Sequence, residues 1–214
     1  MRGKVDRRFL TLLVLALLWS LVPVTTIPAA GALEVGASAF SPLVPAACPT
    51  PPPGTTTQSQ AQALFDAVNA FRVAQGLPKA VHNQLLENTA LAHSQDMSQN
   101  DYFSHIGSDG STPRQRVLQA GYNPTAIGEN LAGGHTNAHE IVSQWAQNPS
   151  HLAVMLQPTL REIGVGYVYD PNDLANVDLG GGQLGGPFCY YWTLDGGYRA
   201  GVLVYKNYLP WSGR

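Results

Sequence analysis

The stretch AIGENLAGG, residues 126–134, sets one carboxylate, Glu129, among glycines and apolar side chains. A carboxylate taken out of water is costly unless it is paired, hydrogen-bonded or bound to a cation. Glu129 therefore either has a partner from elsewhere in the chain or lies exposed on a loop. Two of the six histidines can reach a cleft, although composition alone does not single them out as its partners. His105 follows YFS just beyond a helical pattern and precedes a turn, so its ring can leave the core and reach a cleft. His151 follows Pro149-Ser150 at the start of a short helical segment. Two imidazoles and a carboxylate from three separate segments suit a divalent metal, a proton-transfer pair or the floor of a polar cleft.

Other histidines are weaker candidates. HTNAHE, residues 135–140, has the ingredients of a zinc-protease helix in the wrong order, since Ser143 stands where the second histidine is required. His135, His139 and Glu140 read as an exposed loop and helix start. His93, in AHSQDM, falls on the apolar stripe of a helix and reads as a packed residue with one polar partner.

These groups need elements to hold them. A first helix is expected from about Ser59 to Gln75, with Ala61, Leu64, Phe65, Val68 and Phe71 on one face and Gly76-Leu77-Pro78 as its stop. A second spans about Asn83 to Gln99. Ser111-Thr112-Pro113 caps a third running through Gln119, with Pro at the first helical position. Asn137 with Glu140 three residues on opens a fourth, and a short fifth covers about His151 to Leu156. The period then changes: residues 162–170, 187–195 and 200–208 are rich in Val, Ile and aromatics and read as strands. LDGGY, residues 194–198, gives a hairpin signal, and the Gly-rich segment 171–186 reads as a loop. Helices first and an antiparallel sheet last place the fold in the α+β class.

The rest of the chain bounds the setting. Residues 1–32 read as a secretory signal: a head with Arg2, Lys4, Arg7 and Arg8, an uncharged apolar run from Phe9 to Val22, and Ala30-Gly31-Ala32 as the cleavage site. Residues 33–57, including CPTPPPGTTTQ, read as an extended Pro/Thr-rich linker. The domain itself is expected over 58–209, with 210–214 as a tail. Without the signal, eight basic and thirteen acidic residues remain, a net of −5. No basic stripe survives, which argues against nucleic acid and anionic membrane as partners, and no span is expected in the mature chain. The two cysteines, Cys48 and Cys189, are a candidate disulfide for an oxidising compartment. Such a bond closes a long loop, for which chain entropy allows roughly 5 kcal/mol at most. A lipidated Cys48 is the rival, but Pro45 stands where a lipobox wants an aliphatic residue.

In order along the chain come NAFR (69–72), GLP (76–78), LAHSQDM (91–97), YFSH (102–105), DGSTPRQR (109–116), AGY (120–122), GENLA (128–132), Trp145 with NPSH (148–151), EIGVGY (162–167) and YYW (190–192). Together, from about Phe65 to Trp192, they resemble the CAP superfamily, or SCP domains, a family of cysteine-rich secretory proteins, venom antigens, pathogenesis-related proteins and secreted bacterial proteins. The resemblance implies an α-β-α sandwich with a central antiparallel sheet, and a cleft lined here by His105, Glu129 and His151. It departs in two places. Many eukaryotic members carry a second acid three residues after the helix Trp, where this chain has Asn148, and Asn148-Pro149-Ser150-His151 stands for the bacterial Ser-Pro-Gly-His. The expected metal site is thus a reduced one, with His105 and His151 as ligands for Zn2+ or another divalent ion. Asp109 in the neighbouring turn is a candidate replacement acid.

The resulting expectation is a secreted binding module for a small apolar, lipid-like or cell-envelope ligand, with loop 171–186 as a binding loop. One alternative is a protease or peptidoglycan-acting hydrolase with Glu129 as general base; no Ser or Cys nucleophile motif accompanies it. The other is an interaction domain in which the His/Glu cluster merely ties three loops together.

Overall fold

The computed structural model describes residues 48–200. The expected signal, the strand at 200–208 beyond its first residue, and the tail 210–214 lie outside the described residues, as does the linker before Cys48.

The helices form where caps and apolar stripes place them. α1 (Thr57–Ala74) opens with a capping box between Thr56 and Ser59 and buries Ala61, Leu64, Phe65 and Val68. Its NAFR segment holds the fold. Asn69 bonds both backbone groups of Ala80, and the buried Arg72 guanidinium donates to the carbonyls of Pro78, Met155, Gln157 and Leu160. Two-residue β1 (Val81–His82) leads to α2 (Gln84–Gln99), capped by Asn83. α3 (Pro113–Gln119) has Thr112 as its cap and Pro113 in the first turn. α4 (Ala138–Gln147) and α5 (Pro149–Met155) follow, the latter starting two residues ahead of the expected His151.

The sheet differs from expectation in three respects. First, GENLA is a strand: β2 (Ala126–Gly133) pairs antiparallel with β6 (Tyr190–Tyr198), which also pairs antiparallel with β3 (Glu162–Tyr169). Secondly, LDGGY is no hairpin. Residues 194–198 run straight through the centre of the sheet as the second half of β6. Their glycines make room: a Cβ at Gly196 would collide with Leu160, and one at Gly197 with the Tyr122 ring. Thirdly, the strand order is β1-β3-β6-β2, and β1 lies parallel to β3, so the sheet is mixed rather than wholly antiparallel.

Both sheet faces are covered. Ile163, Val165, Tyr167, Tyr190, Trp192 and Leu194 form the main core with α1 and α4. On the opposite face α2 lies directly on β3, where Gly164 and Gly166 let its backbone approach within a space no side chain could share. The result is an α-β-α sandwich of the α+β class. Loop 171–186 carries its own small pair, β4 (Val177–Asp178) with β5 (Leu184–Gly185). Cys48 and Cys189 are disulfide-bonded with Cα atoms 5.5 Å apart, and the Tyr190 hydroxyl donates to the Pro49 carbonyl. The end of the expected linker is therefore fastened to the core. Among the described residues no helix is long and apolar enough to cross a membrane.

Candidate functional site

Strand alternation decides where Glu129 points. Along β2, Glu129 and Leu131 face α2, while Asn130 faces the other way and donates to the His151 carbonyl at 3.0 Å. Glu129 is buried and occupied at both oxygens. His105 Nδ1–H donates to Oε1 at 2.7 Å, and Arg116 Nη2 donates to Oε2 at 2.5 Å. Of the two alternatives read from sequence, the partnered carboxylate is the one that forms, and its main counter-charge is Arg116.

Arg116 projects from the third position after Pro113 in α3 and also donates to the carbonyls of His105 and Ser111. One guanidinium thus fixes the segment bearing His105 and the carboxylate that orients its ring. Because His105 spends Nδ1–H on Glu129, its Nε2 is left for something else, and the side chain is half exposed. A carboxylate holding one imidazole nitrogen while the other is free is the arrangement that supports metal ligation or proton transfer.

His93 is packed, as its stripe position indicated. Nε2–H donates to the Ser104 carbonyl at 2.9 Å, and the ring lies edge-on to Tyr102. Burial pushes its pKa down, more than the nearby Glu129 charge raises it. It is nonetheless 4.0 Å from Glu129 Oε1, so it belongs to the wall of this cluster.

His151 sits in the first turn of α5, its ring edge-on to Trp145 and its Nδ1 buried without a partner. Burial lowers its pKa, and the His105 charge lowers it further. No bond joins His151 to Glu129 directly. Asn148 is the cap of α5, accepting from the amides of Ser150 and His151.

Asp109 does not take the acid's place. Its carboxylate is held within its own turn by the Ser111 side chain and amide, which lower its pKa. The turn is held instead by Asp96, bonded by Tyr102, Asn100 and the amide and hydroxyl of Ser108. His135 and Glu140 make only a loose 3.9 Å contact at the surface, and no zinc helix forms there.

Two residues essential to this arrangement escaped the sequence reading. Arg116 reads from the sequence only as part of DGSTPRQR at the start of the third helix. Asp195, fully buried on β6 and directly opposite Glu129, was absorbed into the presumed hairpin. An open pocket of about 400 Å³ is lined by Thr89, His93, Asp96, Ser108, Asp109 and Arg116 among others.

The donors offered to a metal are two imidazoles, with Glu129 reaching an ion only through His105. Among the described residues no group of three or more His, Cys, Asp or Glu side chains is placed to hold a metal. A zinc centre of the usual kind takes at least three protein ligands. The residues present do not supply that set.

Comparisons with known proteins agree with this fold. The family model described as the cysteine-rich secretory protein family, CAP, matches residues 65–195. The uncharacterized protein YkwD of Bacillus subtilis is 33% identical over 105 residues, 49% of this chain and 41% of its own length. The chain therefore spans about two fifths of that relative. An extracellular protein containing an SCP domain from Bacillus anthracis superposes with a TM-score of 0.55 at 24% identity, covering 67% of this chain and 41% of its own. An outer surface protein of Borrelia burgdorferi gives 0.54 at 19% identity, covering 68% and 97%.

Proposed function

This chain belongs to the CAP family of cysteine-rich secretory proteins, and from that premise we propose that it is an extracellular binding module for a small, partly apolar cell-envelope ligand. The observation that carries the reading is loop 171–186. It is tied to the segment bearing His105: Phe103 N–H donates to the Asp178 carbonyl at 2.9 Å, and Asp178 N–H to that of Asp101 at 2.7 Å. On this anchored loop Leu174, Leu179 and Leu184 are 49, 41 and 66% exposed. Exposed leucines on a loop anchored to the segment that bears His105 suit a ligand with an apolar body and a polar head. His105 and His151 meet the head. Secretion fits the signal read at the N-terminus, the disulfide, and the extracellular and outer-surface settings named for the two structural relatives.

The hydrolytic alternative is less well served. A general base needs a free carboxylate, and Glu129 is held by Arg116 and His105. A divalent ion such as Zn2+ at His105 and His151 would supply Lewis acidity, but with only those two protein ligands its affinity falls short of a structural zinc site.

The test is fluorescence titration of the full mature chain with a dansyl-labelled fatty acid. The expected outcome is saturable binding, weakened about tenfold or more in Leu179→Ser/Leu184→Ser with unchanged thermal unfolding. Absence of binding, together with Glu129-dependent turnover of peptidoglycan or casein, would overturn the reading in favour of a hydrolase.

A further inference from the structure

Three of the six buried side-chain polar atoms without a partner among the described residues surround Glu129: His93 Nδ1, Arg116 Nε and Asp195 Oδ1. Buried polar atoms are nearly always paired, so a cluster of exceptions calls for a cause. The groups facing Asp195 are few. From β2 comes Glu129, its register partner, and from β3 comes Gly164, which brings no side chain. From α2 come Thr89 and His93, the latter kept neutral by its burial. Glu87 on the same helix is engaged with His82, their atoms 2.5 Å apart. From α3 comes Arg116, already bonded to Glu129.

The count of charges is then unbalanced. Two buried carboxyl groups stand opposite one another in the sheet, and the one guanidinium near them is bonded to Glu129; two carboxylates so placed cannot both ionise. The count of protons points the same way. The Thr89 hydroxyl lies 2.9 Å from the Leu86 carbonyl and 2.7 Å from Asp195 Oδ2. A hydroxyl has one proton, so it cannot donate to both. If Thr89 donates to Leu86, the second bond requires a proton on Asp195.

We propose that Asp195 is a positioning residue: a neutral carboxylic acid that donates to Thr89 and leaves Arg116 to Glu129 alone. The pair then carries one negative charge, located on Glu129, which is what holds His105 in its tautomer. Burial and the Glu129 charge both push the Asp195 carboxyl well above the usual carboxylate range. This assignment does not depend on which ligand the cleft takes.

The experiment is a carbon-detected NMR titration of the side-chain carboxyls in the full chain. In the wild type the Asp195 carboxyl carbon keeps its protonated shift through pH 7. In Glu129→Gln the charge moves to Asp195, which inherits Arg116, and its midpoint falls by more than about two pH units. An Asp195 that titrates as an ordinary carboxylate in the wild type overturns the proposal, as does a midpoint indifferent to Glu129→Gln. Asp195→Asn supplies a second reading. A carboxyl with a raised folded pKa gives stability that is fully present below the unfolded value of about 3.9 and is lost as pH rises from there through the folded one, so the wild type weakens as pH is raised above about 4 relative to the Asn variant. Equal pH dependence in both proteins would also overturn it.

Discussion

Two buried carboxylates hang from the same face of the sheet, Glu162 near one end and Glu129 on the edge strand, and they are served in different ways. Glu162 accepts from Asn83, from the Tyr122 hydroxyl and from two nitrogens of Arg199, whose guanidinium also lies over the Tyr122 ring. Burial pushes its pKa up, but bonds from Arg199, Asn83 and Tyr122 outweigh that and hold it below the ordinary value. Glu129 has one arginine nitrogen, one half-exposed imidazole and a second carboxyl group beside it. A carboxylate that only anchors a fold is saturated with donors. One that keeps a histidine oriented toward a cleft is left with neighbours whose bonding is incomplete, and such residual strain is typical of binding sites.

The sharpest way to break this contrast is to remove the single strong donor on the Glu129 side. Arg116 is nearly buried, and its loss leaves Glu129 as an uncompensated charge inside the protein. Arg116→Met is expected to destabilise by about 3–5 kcal/mol at pH 7, read by urea unfolding. In Glu129→Gln/Arg116→Met much of that loss returns, since no charge is then left unpaired. A single variant as stable as the wild type would mean that Glu129 finds adequate donors without Arg116.

The second prediction concerns the saturated carboxylate. Glu162→Gln keeps the shape but weakens charge-assisted bonds and is expected to cost about 2 kcal/mol at pH 7. The sign of the pH dependence separates the two regions. Glu162 has a lowered folded pKa, so its stabilisation is present above the unfolded value of about 4.3 and lost as pH falls through the folded one. The difference between wild type and Glu162→Gln should therefore shrink below about pH 4. Asp195, with a raised value, acts in the opposite direction. Urea midpoints measured across pH 3–8.5 should show the two slopes apart.

Much of this was legible in the sequence, and the failures have a common origin. The helices were readable because their signals are local: Thr112-Pro113, Asn137 and the stripe of α1 each act within a few residues of the structure they specify. The disulfide followed from there being two cysteines to pair. The sheet was misread where glycine serves packing instead of turning. Gly128 in GENLA, and Gly196 and Gly197 in LDGGY, lie in strands because Val154, Leu160 and Tyr122 occupy the space their side chains would need. That error hid Asp195. A lone acid in YYWTLDGGY meets the same test that singled out Glu129, one charge in an apolar run, but reading LDGGY as a hairpin leaves it outside the candidate site. Arg116 carried no such signal, since a basic residue in a short helix is usually solvated. Its role appears only once α3 is set against β2.

The smallest expected effect on stability falls at the residue nearest the cleft. The His105 side chain is 51% exposed and contributes one bond to Glu129, which keeps Arg116 when the imidazole is gone. A half-exposed bond of this kind is worth about 1 kcal/mol or less, so His105→Ala should unfold within that margin of the wild type. Its effect on recognition should be larger, because Nε2 is the atom that Glu129 turns away from the protein. In the dansyl-fatty-acid titration the variant should lose affinity. His105→Gln separates the two roles, since its amide can still donate to Glu129 but brings no imidazole to the cleft. Recovered stability without recovered ligand affinity would locate the function of His105 in the cleft. Should His105→Ala instead destabilise as strongly as Arg116→Met, the cluster would be a fold anchor like Glu162, and the contrast between the two regions would disappear.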